Sequence, residues 1–94
     1  VNCHSFIAEK EKSFKLYMLN SKNGIKADNT IMIESGNFYS YNNGTAFKTD
    51  TLADNPAEKH GIYISNGSIR VHKNEKVFDT EEKFCKVRPK VIEE

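Results

Sequence analysis

Three Asn-Gly dipeptides within 94 residues, Asn23-Gly24, Asn43-Gly44 and Asn66-Gly67, constrain this chain more than any other feature. Asn and Gly both tolerate positive φ, which the primed two-residue turns of β-hairpins require, and such turns match the right-handed twist of the strands they join. The segments around them have the pattern of strands. "SFKLYML" (13–19) sets Phe14, Leu16 and Met18 against Lys15, Tyr17 and Leu19, the period-two alternation of a half-buried strand. "TIMIE" (30–34), "NFYSY" (37–41), "TAFKT" (45–49), "IYIS" (62–65), "SIRVHK" (68–73) and "KVFDT" (76–80) follow. Across the Asn66-Gly67 turn, Ile62 and Ile64 are expected to oppose Ile69 and Val71, as cross-strand pairs on one face do.

The two ends complete the pattern. "SFIAE" (5–9) is expected to form a hairpin with "SFKLYML"; a helix over residues 5–19 is the alternative, since Ala, Glu and Lys favour it. "KFCKVRPKV" (83–91) is a last strand, kept at an edge by Pro89. No internal repeat, low-complexity tract or second domain is read. The expectation is a single all-β domain over 1–94: a small antiparallel β-sandwich or barrel of six to eight short strands joined by tight hairpins.

Between the strands, "DTLADNPAEKHG" (50–61) is the longest polar stretch. Asn55-Pro56 discourages regular structure there, and Pro56 suits the first position of a short helical turn. Long loops on β-scaffolds often carry recognition, which makes Asp54, Asn55 and Lys59 candidate binding residues.

Charge narrows the partners. Fourteen Lys and Arg against 13 Asp and Glu, interspersed, do not provide the one-signed face on which nucleic-acid binding depends or a polybasic membrane anchor. No apolar run approaches the roughly 20 residues that cross a bilayer. Cys3 and Cys85 stand near opposite ends, with no CxxC and no zinc-like Cys-His spacing. A bridge between them would close a loop worth about 4–5 kcal/mol in the chain-entropy model, comparable with the net stability of a small domain. That bridge is expected, and with it an oxidising compartment, secreted or periplasmic; two unrelated thiols in a reducing compartment are the alternative. Val1 in place of Met suits a mature product or a trimmed chain.

Catalytic and metal-binding signatures are sparse. His4, His60 and His72 offer no i, i+4 ligand pair, and no serine stands in a GxSxG setting; neither a metal nor a cofactor is expected. Arg70 and His72 share one face of "SIRVHK", with carboxylates such as Glu34 and Glu75 elsewhere. A guanidinium, an imidazole and a carboxylate could together stabilise a phosphate transition state and move its protons. With the clamped ends, this resembles small secreted guanyl-specific ribonucleases and the ribonuclease-like effectors of mildew fungi. The plain alternative is a solvent-facing strand side. Tyrosines are the stronger binding signal, because they bury much area at low entropic cost: of Tyr17, Tyr39, Tyr41 and Tyr63, the binding candidates are Tyr39, Tyr41 and Tyr63. Asn43-Gly44-Thr45 and Asn66-Gly67-Ser68 match the N-glycosylation pattern.

Two families share this design. A first strand at a cysteine, "VNCHSFIAE", resembles the small secreted fungal effectors of the MAX (ToxB-like) type, six-stranded β-sandwiches that act by binding host proteins. "GIYISNGSIRVHKNEKVFDTEEKFC" is similar in rhythm to the last strands of bacterial c-type lysozyme inhibitors, antiparallel barrels held by an end-to-end disulfide. No functional residue is carried over from either. The resemblances imply a secreted, monomeric, non-enzymatic module that binds another protein, as a virulence effector or as an inhibitor of an enzyme such as lysozyme. A ribonuclease-like protein using Arg70 and His72 is the alternative, and a glycan-binding module using exposed tyrosines a weaker one.

Overall fold

The computed structural model describes residues 1–50, 60–81 and 84–94. Among these residues ten strands follow one another, more than the six to eight expected: β1 (Asn2–Ala8), β2 (Lys15–Leu19), β3 (Asn23–Ile33), β4 (Asn37–Tyr41), β5 (Thr45–Thr49), β6 (Gly61–Ile64), β7 (Ser68–His72), β8 (Lys76–Asp79), β9 (Cys85–Val87) and β10 (Val91–Glu93). Each segment expected to be a strand contains one, and β1 excludes a helix at the N-terminus. But "KFCKVRPKV" is broken at its Pro89 bend into β9 and β10 on different sides, and β1 pairs with β3 rather than in a hairpin with β2. Their pairing is the correction. Every ladder is parallel, so the antiparallel sandwich or barrel expected from the Asn-Gly turns is not the fold.

The chain instead winds as a three-sided parallel coil. The first side stacks β2, β4, β7 and β10. The long strand β3 turns a corner: Asn23 to Ala27 pair with β5, while Thr30 to Ile33 pair with β6. The second side is therefore the first residues of β1 (Asn2 and Cys3), the start of β3, then β5 and β8; the third is the rest of β1, the end of β3, then β6 and β9. Strands adjacent in sequence lie on different sides, and each bonds to the strand one turn of the coil away. Such a coil buries nothing with one turn alone; stacked turns make the core continuous.

Like lies on like inside. Leu16, Phe38, Ile69 and Val91 form one inward column on the first side. Ile25, Phe47 and Phe78 form another on the second. Phe6, Ile31, Ile62 and Cys85, with Ala8, Ile33, Ile64 and Val87 beside them, line the third. The pairs Ile62–Ile69 and Ile64–Val71 are all buried as expected, but from different sides of the coil rather than across a hairpin.

The Asn-Gly dipeptides have other duties. Asn23-Gly24 lies within β3, where a Cβ on Gly24 would come within 2.6 Å of the Ala46 carbonyl oxygen. Gly67 supplies positive φ (111°) at the corner into β7, directly above Gly36 (φ 102°), which does the same at the corner into β4. At the corner leaving the first side, Asn20, Asn42 and Lys73 take the left-handed conformation in successive turns. Ser21, Asn43 and Asn74 come next in each and form a ladder. Asn43 Nδ2 donates to the Met18 carbonyl at 2.8 Å, and its Oδ1 accepts from the Ser21 amide at 2.9 Å. Asn74 repeats both bonds one turn on, to the Ser40 carbonyl at 2.8 Å and from the Asn43 amide at 3.1 Å. Each Asn side chain thus hooks the turn before it. Asn43 is 2% exposed, so a glycan cannot be carried there with the fold intact; Asn66 is exposed.

The Cys3–Cys85 disulfide is likewise corrected: both thiols are free. Cys3 lies on Ala27 on the second side, whereas Cys85 stands in the third-side column below Phe6, and β9 is three ladder steps from β1. At about 4.8 Å per step that is about 14 Å, twice the roughly 7 Å beyond which two Cα atoms cannot be bridged. Thiol titration of unreduced folded protein should find two sulfhydryls, and a reductant should leave the melting temperature unchanged. Burial holds both thiols above their ordinary range, so reaction at neutral pH should be slow.

Candidate binding face

Parallel register turns period-two alternation into columns, and on the outside of the first side two columns stand together. Tyr17, Tyr39, Arg70 and Ile92 occupy one, one residue per strand; Leu19, Tyr41, His72 and the position after Glu93 occupy the other. That last position is Glu94, whose amide donates to the Val71 carbonyl at 2.8 Å and so extends the ladder. The corner geometry described above holds these four strands level.

Aromatic contacts run across the face. Tyr17 and Tyr39 stack with ring centres 4.5 Å apart and planes 10° from parallel. Tyr39 meets Tyr41 edge to face at 6.3 Å, and Tyr41 meets His72 at 6.2 Å. Tyr17 (54%), Leu19 (52%) and Ile92 (43%) are among the most exposed large hydrophobic residues of the chain. Glu94 ties the polar groups together. Tyr41 donates to its Oε2 at 2.8 Å, Arg70 Nη1 donates to its Oε1 at 3.2 Å, and His72 Nδ1 contacts its backbone oxygen.

The electrostatics follow from that knot. Hydrogen bonds from Tyr41 and then Arg70 hold the Glu94 carboxyl below its ordinary range, and the same bond holds the Tyr41 phenol above its own. Glu94's contribution is present above the ordinary carboxylate pKa and is lost as pH falls through its lowered value. Tyr41's is present below the ordinary phenol pKa and is lost as pH rises through its raised value. Ultraviolet titration should show the Tyr41 phenol ionising at lower pH in Glu94→Gln than in the parent.

The expected site residues separate. Tyr39 and Tyr41 lie together on this face, whereas Tyr63 lies on the third side, paired with Met32 and Lys86. Asp54, Asn55 and Lys59 fall outside the described residues. Arg70 and His72 share the face as expected, and their carboxylate partner is Glu94; Glu34 lies near Lys10 instead, at 3.9 Å. Leu19, Ile92 and Glu94, which the sequence does not single out, also lie on this face, as does Tyr17, one of the four strand tyrosines; alternation puts Tyr17 and Leu19 on one strand face, and the stacking of the strands shows what that face adjoins. Among the described residues no three His, Cys, Asp or Glu side chains converge as a metal site requires. Among the same residues no helix is long and apolar enough to cross a membrane. Compared with protein-family models, curated proteins and solved structures, the chain matches none.

Proposed function

We propose that this chain is a non-enzymatic binding module whose contact surface is the Tyr17–Tyr39–Tyr41–Arg70–His72 face, and whose partner is another protein. The observation that carries this reading is the composition and continuity of the face. Tyr and Arg dominate binding hot spots, where rigid rings bury area at little entropic cost. Here three tyrosines and one arginine are fixed by mutual contacts before any partner arrives, which lowers the ordering cost of association. Tyr17 and Tyr39 cover one ring face of each other, and the surface around them mixes tyrosine hydroxyls and Arg70 with the apolar Leu19 and Ile92, the composition of a protein-contact patch. The geometry therefore favours protein over glycan.

A hydrolytic role for Arg70 and His72 gains its carboxylate in Glu94, but that carboxylate occupies the guanidinium which a phosphate would need. The extracellular assignment leaned on the disulfide, and the proposal stands without it. A photoreactive phenylalanine analogue at position 39 should cross-link one discrete protein from extracts of the source organism, and the same analogue at position 63 should not. With that protein purified, Tyr39→Ala should weaken binding by about 2 kcal/mol, or roughly 30-fold. Equal labelling from both positions, or unchanged affinity, would remove this face as the contact surface.

A further inference from the structure

A second surface, on the third side, has a different chemistry. Its outward column runs Ile7, Met32, Tyr63, Lys86. The next outward position in each turn is Glu34, Ser65 and Arg88, aligned because their amides donate to the Ala8, Ile33 and Ile64 carbonyls of the turn before. Between these two columns lies a depression of about 710 Å³, lined by Met32, Tyr63, Ser65, Lys86 and Arg88 among others. Ser65 and Arg88 also line an adjoining depression of about 380 Å³ that reaches Asn66 and Pro89. The larger hollow falls within the roughly 300–1,000 Å³ typical of small-molecule sites.

The charges in it do not cancel. Glu34, on its wall, lies 3.9 Å from Lys10. Among the described residues neither Lys86 nor Arg88 meets a carboxylate. Two cations therefore stand at one end of a hollow whose floor is the Met32 thioether and the Tyr63 ring. Met and aromatic surfaces accommodate varied apolar shapes, and Arg presents a planar fork suited to a carboxylate or a sulfonate. We infer that this hollow binds a small amphipathic monoanion, with its acidic head at Arg88 and Lys86 and its apolar body along Tyr63 and Met32. This site is independent of the tyrosine face.

The test uses anilinonaphthalene sulfonate, which has both parts, and phenylnaphthylamine, which lacks the charge. The sulfonate should bind the folded chain saturably at one site, with at least tenfold higher affinity than the neutral amine. Decanoate should displace it and decanol should not. Arg88→Ala with Lys86→Ala, and separately Tyr63→Ala, should each weaken binding at least tenfold, while Tyr39→Ala leaves it unchanged. Circular dichroism and melting curves of each variant would confirm that the fold is kept; Arg88→Lys, which preserves the charge, should retain part of the affinity. Equal affinity for the neutral probe, non-saturable uptake, or indifference to all three positions would overturn the inference.

Discussion

Asn43→Ala should lower the thermal midpoint steeply, while Asn66→Ala, at a dipeptide of identical sequence, should barely change it. Asn43 is buried, and its side chain serves the Met18 carbonyl, the Ser40 hydroxyl and both the amide and hydroxyl of Ser21. Alanine leaves the Met18 carbonyl, whose bond to Asn43 is buried, and the Ser21 amide, whose bond is partly buried, without their side-chain partners. At about 1–3 kcal/mol for each such group, the loss is about 3 kcal/mol. For a domain of this size that is a fall of about 12–24 °C. Asn66 is exposed, and its Oδ1 accepts only from the neighbouring Gly67 amide at 2.9 Å; its removal should fall within the ordinary surface range of about 0.5 kcal/mol. A hairpin protein would respond alike at both dipeptides. Asn74→Ala should resemble Asn43→Ala more than Asn66→Ala, since Asn74 hooks the preceding turn in the same way. Calorimetry on the three variants decides the matter, and equal shifts at 43 and 66 would contradict the ladder.

That contrast also shows why the strands were legible and their arrangement was not. Period-two alternation says which residues share a strand face, and the boundaries of β4 and β5 follow from it directly. It does not say whether a strand pairs with its neighbour or with one a full turn away. The deciding signal was present as a repeat. Tyr17, Asn20 and Lys26 recur 22 residues on as Tyr39, Asn42 and Lys48. Ile31, Ile33, Gly36, Asn43, Phe47 and Thr49 recur 31 residues on as Ile62, Ile64, Gly67, Asn74, Phe78 and Thr80. The two spacings differ because the stretch between β5 and β6 is longer than its counterparts, and that interruption conceals the period. Asn-Gly points to a hairpin because that is its commoner use. In a coil the same residues turn corners: Gly36 and Gly67 take up positive φ, and Asn43 spends its side chain on the turn below.

The binding face depended on the same missing fact. Tyr39 and Tyr41 could be paired from alternation alone, and so could Arg70 and His72. Bringing Arg70 beside Tyr39, and Tyr17 onto Tyr39, needs β2, β4 and β7 in parallel register. Glu94 lay beyond reach for a further reason. As one of two adjacent glutamates, Glu93 and Glu94, it has no pattern of its own, and its role appears only when β10 stacks on β7. The disulfide is excluded by geometry as well: closing a long loop would favour the folded state by restricting the unfolded chain, but a coil that advances one strand spacing per turn carries its first and last turns apart.

Phe38→Ala should bring the protein close to unfolding at ordinary temperatures, with a loss of about 3–5 kcal/mol from a net stability that is about 5–15 kcal/mol for domains in general. Phe38 is fully buried at the centre of the coil. Its ring meets Phe6 at 6.1 Å, Phe14 at 5.5 Å and Phe47 at 6.0 Å, each edge to face. Those partners come from the third side, from the approach to β2, and from the second side; Phe47 passes the contact on by stacking with Phe78 at 5.6 Å. One ring thus joins all three sides and connects the first turns to the later ones. In a stacked coil, where stability is carried by contacts between neighbouring turns, its loss should weaken coupling along the axis as well as the local packing. Denaturant unfolding should therefore show a lower midpoint together with a shallower or two-step transition, as the first turns separate from the rest. Phe38→Leu, which keeps most of the volume, should lose much less and stay cooperative. A Phe38→Ala variant that unfolds in one sharp step within 1 kcal/mol of the parent, a margin below the range for buried aromatic truncation, would show that the ring is not the axial link described here.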